Sequence, residues 1–493
     1  MSIARNTIYG FVGNVVPLFA SIITVPLYLE TIGPARYGAL SISWLLLAYF
    51  GQADFGIGRA ITQRIAATAQ SDRSQLAGVV WSGLAMIAVI GVVVSVATYF
   101  ASRWYFAGPF EVDGLLRGEL LQSAITLSLC VSTMALSGVL GGVLTGLERF
   151  GLLSAGQFVS TLALQILPLL VALVFGPNLT NLILASLVSR LFLVVVLAAG
   201  VWNFALKKQP IRLVRSEIRH LSTFGSWVMI TAFIGPLMVY SDRFVIGTLY
   251  GAAAVTAYVI PSLITFRLQL IPTMLSQALF PRFAAEDESS ARARCGEYTV
   301  LVGLLFAPVV VGIICLAGPL LELWLGPALD PRSILIGQIL MIGCWFNGYA
   351  LVAFAFVQAR GDPRFGALTH VFEIPLYFLL LFGFGSVFGL AGIAVAYSVR
   401  CLVDAAIFIW RADIADSRLW RGVTIPTLLV AVAFFHGSTS TSWRESLVIA
   451  TVLCLVAIVV AIWQLPDEPR RRIAEWPIAR RVPGLAPRPR AKA

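Results

Sequence analysis

EYTVLVGLLFAPVVVGIICLAG, residues 297–318, carries a charge at its first position and none after it. About 20 consecutive apolar residues form a helix long enough to cross a hydrocarbon core of about 30 Å, whereas a buried helix of a soluble protein needs only about 10–14. The run therefore reads as a membrane span. Outward from it the same pattern recurs along the chain, at 6–30, 37–58, 76–101, 118–145, 150–175, 181–206, 221–248, 252–281, 333–358, 366–386, 389–410, 422–437 and 444–464. Composition agrees: 59% of the 493 residues are apolar, 12% are charged and the mean hydropathy is +0.89. A soluble domain carries about 25% charged residues. No polar stretch is long enough to be a soluble domain. The expectation is an all-α polytopic membrane protein of about fourteen transmembrane helices.

The charges between these runs set an orientation. With both termini in the cytoplasm, the far side holds Arg36, Arg103, Arg117, Arg332 and Arg444, and four arginines fall within spans. The rest of the 35 basic residues lie on the cytoplasmic side, including Lys207, Lys208, Arg212, Arg215 and Arg219 between the sixth and seventh spans. This asymmetry follows the positive-inside rule and requires an even number of crossings. It also explains the net charge of +11 without nucleic acid as a partner. The start, MSIARNTIYGFVGNVVPLFASIITVPLYL, has the basic residue and apolar run of a signal peptide. The run is too long for one and is interrupted by Asn14 and Pro17, so it reads as an uncleaved first span. The basic, proline-rich end from 465 to 493 is expected to lie disordered on the anionic cytoplasmic leaflet. The six cysteines are scattered, with no CxxC pair, and imply no disulfide framework.

An internal repeat organises the spans. Gly146-Leu147-Glu148-Arg149-Phe150-Gly151 and Gly361-Asp362-Pro363-Arg364-Phe365-Gly366 both read GxxRFG, 215 residues apart. The same shift carries the first span onto the seventh. Ala185–Arg190 resembles Ala396–Arg400. Six spans per half make the repeat parallel, an arrangement that places a transporter's substrate site between the halves. The expected domains are 1–206, a basic linker 207–220, a second lobe 221–410, extra helices over 422–464, and the tail.

Burying a cation in hydrocarbon costs several kcal/mol, at least about 2.5 on insertion scales. Arg190, Arg243, Arg267 and Arg400 nevertheless sit inside spans. They are expected to line a water-filled lumen for an anionic substrate, since guanidinium matches phosphate oxygens in a bidentate fork. Local pairing competes for two of them: Asp242 adjoins Arg243, and Asp404 follows Arg400 by one turn. Arg59, at the cytoplasmic end of the second span, is a further headgroup candidate beside an ordinary interface role. The intramembrane acids Asp54, Asp242, Glu373 and Asp404 are candidates for ion coupling. His370 shares a helix face with Glu373 and could relay protons. Prolines inside spans, Pro168 and Pro308 among them, read as kinks. Gly138, Gly142 and Gly146 give the small-xxx-small spacing of close helix packing.

No phosphate-binding GxxxxGK[ST] loop, metal-ligand cluster or GxSxG elbow occurs. The three histidines are far apart, and the loops are too short for a catalytic domain. No cofactor is expected; a proton or sodium gradient is the expected drive.

Taken in order, Asn6-Thr7-Ile8-Tyr9-Gly10, Ile32-Gly33-Pro34-Ala35-Arg36-Tyr37-Gly38, Ala53-Asp54-Phe55-Gly56-Ile57-Gly58, Ser241-Asp242-Arg243-Phe244-Val245-Ile246-Gly247 and Ala359-Arg360-Gly361-Asp362 resemble the polysaccharide transporters. These are the Wzx-type lipid-linked oligosaccharide flippases of the multidrug/oligosaccharidyl-lipid/polysaccharide exporter superfamily. The resemblance covers roughly residues 1–465. It implies two six-helix lobes in a V around a central lumen, plus two extra C-terminal helices, in the bacterial inner membrane. It implies alternating access that moves undecaprenyl-diphosphate-linked repeat units to the periplasmic leaflet for O-antigen, exopolysaccharide or capsule. Expected partners are that lipid-linked oligosaccharide, anionic lipids, and a polymerase and other polymer-assembly proteins. Lipid II flippases and drug or metabolite exporters of the superfamily are the nearest alternatives. The arginine-rich interior argues against cationic drugs. A membrane glycosyltransferase or polymer ligase, or a non-transporting scaffold of the assembly complex, would be different classes.

Overall fold

The computed structural model describes residues 3–51, 56–68, 73–439, 442–466 and 470. Its elements are helical throughout. They are α1 (Ile3–Gly51), α2 (Ile57–Thr68), α3 (Arg73–Ala107), α4 (Gly114–Gly146), α5 (Phe150–Phe175) and α6 (Leu179–Val201), with a π-helical turn at Trp202–Leu206. After it come α7 (Arg215–Leu268), α8 (Leu270–Ala285), α9 (Glu288–Leu325), α10 (Arg332–Ala359), α11 (Pro363–Arg411), α12 (Ser417–Thr439) and α13 (Trp443–Gln464). Among the described residues, 10 helical stretches are long and apolar enough to cross a membrane. The chain forms two compact units, Met1–Thr256 and Ala257–Ala493, and each is described by itself.

Three helices are too long for one crossing. α1 and α11 have 49 residues and α7 has 54, which at 1.5 Å per residue is about 75–80 Å. Each is broken by one glycine: Gly33 (φ 77°), Gly251 (φ 77°) and Gly389 (φ 65°). An L side chain is strained at such a φ and glycine is not. Three of the expected loops, at 31–36, 249–251 and 387–388, are thus reduced to single-residue pivots. At the first, Pro34 opens the next helical segment with its φ already set.

Two expected spans are interrupted. The run 37–58 is divided between α1 and α2, with 52–55 outside the described residues. The run 252–281 is cut at Gln269, between α7 and α8. Pro272 accounts for the cut, because a proline ring clashes with the carbonyl four residues earlier, here that of Leu268.

Where apolar helices meet water, side chains cap them. Asp113, Asn178, Asp287 and Asp362 accept from the backbone N–H groups of Leu116, Thr180, Ser290 and Phe365 at the starts of α4, α6, α9 and α11. Such caps satisfy donors that helix ends leave open.

The first unit packs α2, α3, α4 and α6 around Ile61, Ile65, Val80, Val143, Leu144 and Leu197. The glycines of α4 allow the approach: a Cβ on Gly142 would lie 2.3 Å from the carbonyl oxygen of Gly58, and one on Gly146 would lie 2.8 Å from Ile65. In the second unit, α12 and α13 pack against α9, around Val310, Ile314, Ala433 and Ala457. Other apolar faces stay uncovered. Val89, Val92, Val93, Val96 and Phe100 form an exposed helical stripe on α3, a surface that a soluble protein would cover and that lipid covers in a multi-pass membrane protein.

Candidate functional site

In the second unit, the turn at Gly389 folds α11 back on itself. Glu373 and Asp404 would lie about 46 Å apart on a straight helix. Instead both reach His370, whose Nδ1 is 3.2 Å from Glu373 Oε2 and 3.9 Å from Asp404 Oδ1. A Cβ on Gly392 would lie 2.0 Å from the Phe384 carbonyl oxygen, so only glycine lets the two segments close this tightly. Phe354 and Phe408 flank the imidazole at ring distances of 5.7 and 5.9 Å. Both carboxylates are buried, and Glu373 Oε1 and Asp404 Oδ1 have no hydrogen-bond partner among the described residues.

One turn before Asp404, Arg400 lies over the rings of Tyr377 and Tyr397 at 5.2 and 5.4 Å. It donates to Cys401 Sγ at 3.6 Å. Two carboxylates this close require neutralisation by a proton, an imidazolium, a guanidinium or a cation. All four are chemically available to this group, since the donor atoms of His370, Glu373 and Asp404 lie within 4.8 Å of one another, close enough to surround one ion.

The remaining arginines differ sharply. Arg243 and Asp242 are both fully buried in the first unit and pair at 2.7 Å, and Arg243 also donates to the Val239 carbonyl. The local ion pair that competes with a lumen role is therefore formed. Arg190, half-buried on α6, has its Nε buried without a hydrogen-bond partner among the described residues. Arg267, half-buried in the last turn of α7, has no ion pair or hydrogen bond among them either. Two residues on, both amide atoms of Gln269 are buried without partners. Buried groups left open in this way mark places where water or a ligand supplies the missing atoms.

Arg190 and Arg243 belong to the first unit, Arg267 and Arg400 to the second. Within the second unit, Arg400 joins the His370 group, while Arg267 stands at the α7–α8 break. Arg59 is exposed on α2 and borders a cleft with Gln63 and Gln157. Those two residues drew no notice in the sequence; the signal was the run of small and hydroxyl residues along one face of α4. Asp54 and most of the tail lie outside the described residues.

The model of the polysaccharide biosynthesis protein family matches residues 31–332. A Shigella flexneri protein provisionally named an O-antigen transporter is 25% identical over 413 residues, covering 83% of this chain and 97% of that protein. Among solved structures, the lipid II flippase MurJ in an inward closed conformation aligns with a TM-score of 0.67 at 14% identity, covering 92% of this chain and 98% of that one. An inward-facing multidrug resistance transporter of the MATE family, in the MOP superfamily, aligns at 0.62 and 14% identity, covering 87% and 99%. At these identities the structural likenesses establish the fold.

Proposed function

We propose that this chain, which belongs to the polysaccharide biosynthesis protein family, is a flippase. It moves undecaprenyl-diphosphate-linked oligosaccharide repeat units from the cytoplasmic to the periplasmic leaflet of the bacterial inner membrane, for O-antigen, exopolysaccharide or capsule assembly. The observation that carries this reading is the pair Arg190 and Arg267. Each is half-buried within an apolar helix, without an acidic partner among the described residues. A buried cation without a partner is costly, and a diphosphate that binds transiently would offset that cost.

In this reading the pivots at Gly33, Gly251 and Gly389 divide the long helices into separate crossings. The chain then spans the membrane fourteen times with both termini cytoplasmic, α12 and α13 being the last two crossings. Arg190, Arg267 and Arg400 contact the anionic substrate as it passes by alternating access. Arg243 holds Asp242 and keeps the helix intact. His370, Glu373 and Asp404 form the ion-coupling group, with Asp54 a second candidate. Polymerase and other assembly proteins take the product on the far side.

The test is flipping of a fluorescent undecaprenyl-diphosphate oligosaccharide in proteoliposomes, under imposed pH and sodium gradients. Wild type should flip it and Arg267→Ala should not. Flipping by both would remove the arginine from the mechanism. Export of a cationic drug with no flipping of any lipid-linked glycan would overturn the function. Preferential flipping of lipid II would move the protein to that branch of the superfamily.

A further inference from the structure

Helices α2, α4 and α5 of the first unit border an open cleft of about 510 Å³. Arg59, Thr62, Gln63, Ser137, Thr145 and Gln157 line it. Its floor is backbone, because α2 and α4 meet at Gly58 and Gly142, where no side chain fits. Thr62 Oγ1 donates across this contact to the carbonyls of Gly58 and Gly142 at 2.8 and 3.0 Å. Ser137 and Thr145 likewise donate to the carbonyls of Met134 and Gly141. With their protons committed, these three hydroxyls offer only lone pairs to the cleft.

Donors come from Arg59 and Gln63 on α2 and from Gln157 on α5. Arg59, Gln63 and Gln157 are exposed and make no side-chain hydrogen bond among the described residues. Gln157 lies two turns inside α5, whose other exposed residues include Val159, Ile166 and Leu170. An amide is expensive against lipid and belongs where it meets polar atoms. Beside glycines and the apolar Leu153, the lining therefore holds acceptors, amides that both donate and accept, one guanidinium and no carboxylate. That set matches a polyhydroxylated group beside a phosphate. The volume sits in the lower half of the range for small-molecule sites, about 300–1,000 Å³, so it suits part of a headgroup rather than a whole repeat unit. The cleft adjoins the α4–α5 connection, where Arg149 lies and which the positive-inside rule places at the cytoplasmic face.

We propose that this cleft is a headgroup subsite that reads the phosphate-proximal sugar of the lipid-linked substrate, with Arg59 on the adjoining phosphate and Gln63 and Gln157 on sugar hydroxyls. This rests on the flippase reading above. The sequence of events it implies is capture of the sugar in the cytoplasmic leaflet before the deeper arginines engage the diphosphate.

The experiment is binding by native mass spectrometry of the full-length protein in nanodiscs. The probes are undecaprenyl diphosphate, the same lipid bearing N-acetylglucosamine or galactose, and free N-acetylglucosamine 1-phosphate. Wild type should favour a sugar-bearing lipid over the bare one. Gln157→Leu and Gln63→Leu should each weaken sugar-lipid binding about fivefold, the weight of one net hydrogen bond, while leaving the bare lipid unchanged. Arg59→Ala should weaken all three lipids, with partial recovery in Arg59→Lys. Retained sugar preference in both glutamine variants, at wild-type melting temperature, would overturn the subsite and leave the flippase intact. Tighter binding of the free sugar phosphate than of either glycolipid would overturn the lipid-linked source. Absence of binding to every undecaprenyl lipid would overturn the flippase reading and the subsite with it.

Discussion

Thr256 donates its hydroxyl proton to the carbonyl oxygen of Pro34 at 2.6 Å. The bond joins the helical segments that begin just after two of the glycine pivots, Gly33 and Gly251. Four residues further along α1, a Cβ on Gly38 would lie 1.8 Å from the Ala252 carbonyl oxygen. Two chain reversals 218 residues apart are thus held backbone to backbone within the first unit.

The pivots differ in surroundings, and substitution should report it. Alanine at Gly33 meets nothing within 4 Å, whereas at Gly251 its Cβ meets the Glu111 carbonyl oxygen at 2.8 Å. Both variants bear the left-handed strain of about 1–2 kcal/mol. Gly251→Ala should therefore lower the thermal midpoint in detergent further than Gly33→Ala, and Gly38→Ala should accumulate poorly. Equal midpoints for the two pivot variants would show that Glu111 yields freely.

Arg64 grips Glu217 through both oxygens, Nε to Oε2 at 2.8 Å and a terminal nitrogen to Oε1 at 2.6 Å. This ties α2 to the start of α7, outside the spans. The Arg64 hydrogen bonds hold the Glu217 carboxyl below its usual range. A depressed carboxylate pKa adds stability above the unfolded-state value, about 4.3, and loses it as pH falls through the folded value. Arg64→Gln should cost about 1 kcal/mol at pH 7, a modest figure because Arg64 is partly exposed. The gap in thermal midpoint between wild type and variant should close below about pH 4. A gap constant from pH 7 to 3.5 would show that packing, not charge, holds this contact.

The spans were legible because hydropathy is local. The run 297–318 lies inside α9, which extends beyond it at both ends, from a first turn capped by Asp287 to Leu325. The pairing of Asp242 with Arg243 was legible because the two are neighbours. Contacts across long separations were not. Glu373 meets the residues around Asp404 only because Gly389 turns α11 back, and hydropathy marks a gap there without its geometry. Arg59, Gln63 and Gln157 share a cleft because α2, α4 and α5 pack at glycines, which no one-dimensional pattern states. The spacing of the repeated motif is not quite the spacing of the helices. The GxxRFG motifs lie 215 residues apart, whereas Phe150 and Pro363, which start α5 and α11, lie 213 apart, as do the left-handed Gly176 and Gly389.

Arg243 and Arg267 should fail in different ways. Arg243→Ala removes the guanidinium that pairs with the buried Asp242, a loss of about 3–5 kcal/mol for a broken buried pair. Little folded protein should reach the membrane. The double variant Asp242→Asn with Arg243→Met removes both charges and should recover much of that level. Arg267→Ala removes a charge with no protein partner among the described residues, so it should insert normally and lose transport. Quantitative blotting of membranes beside a polymer-export assay separates the two. Normal accumulation of Arg243→Ala would show that Asp242 is neutralised by something other than this arginine.

The His370, Glu373 and Asp404 group makes the coupling ion a testable matter. A sodium ion favours a shell of oxygens, as hard cations do. Here one of three donors is an imidazole nitrogen rather than an oxygen, 3.2 Å from a buried carboxylate. Arg400, one turn from Asp404 and held between two tyrosine rings, already supplies a fixed positive charge, so a second fixed cation is less favourable than a mobile proton. Phe354 and Phe408 add no charge from the neighbouring surfaces. The expected outcome is flipping in proteoliposomes that is accelerated by an imposed pH gradient and indifferent to a sodium gradient. Asp404→Asn and Glu373→Gln should abolish the acceleration while leaving slow, gradient-independent flipping. His370→Gln should weaken it. Acceleration by sodium that survives in His370→Gln and vanishes in Asp404→Asn would instead make the two carboxylates a cation site with the imidazole as a bystander.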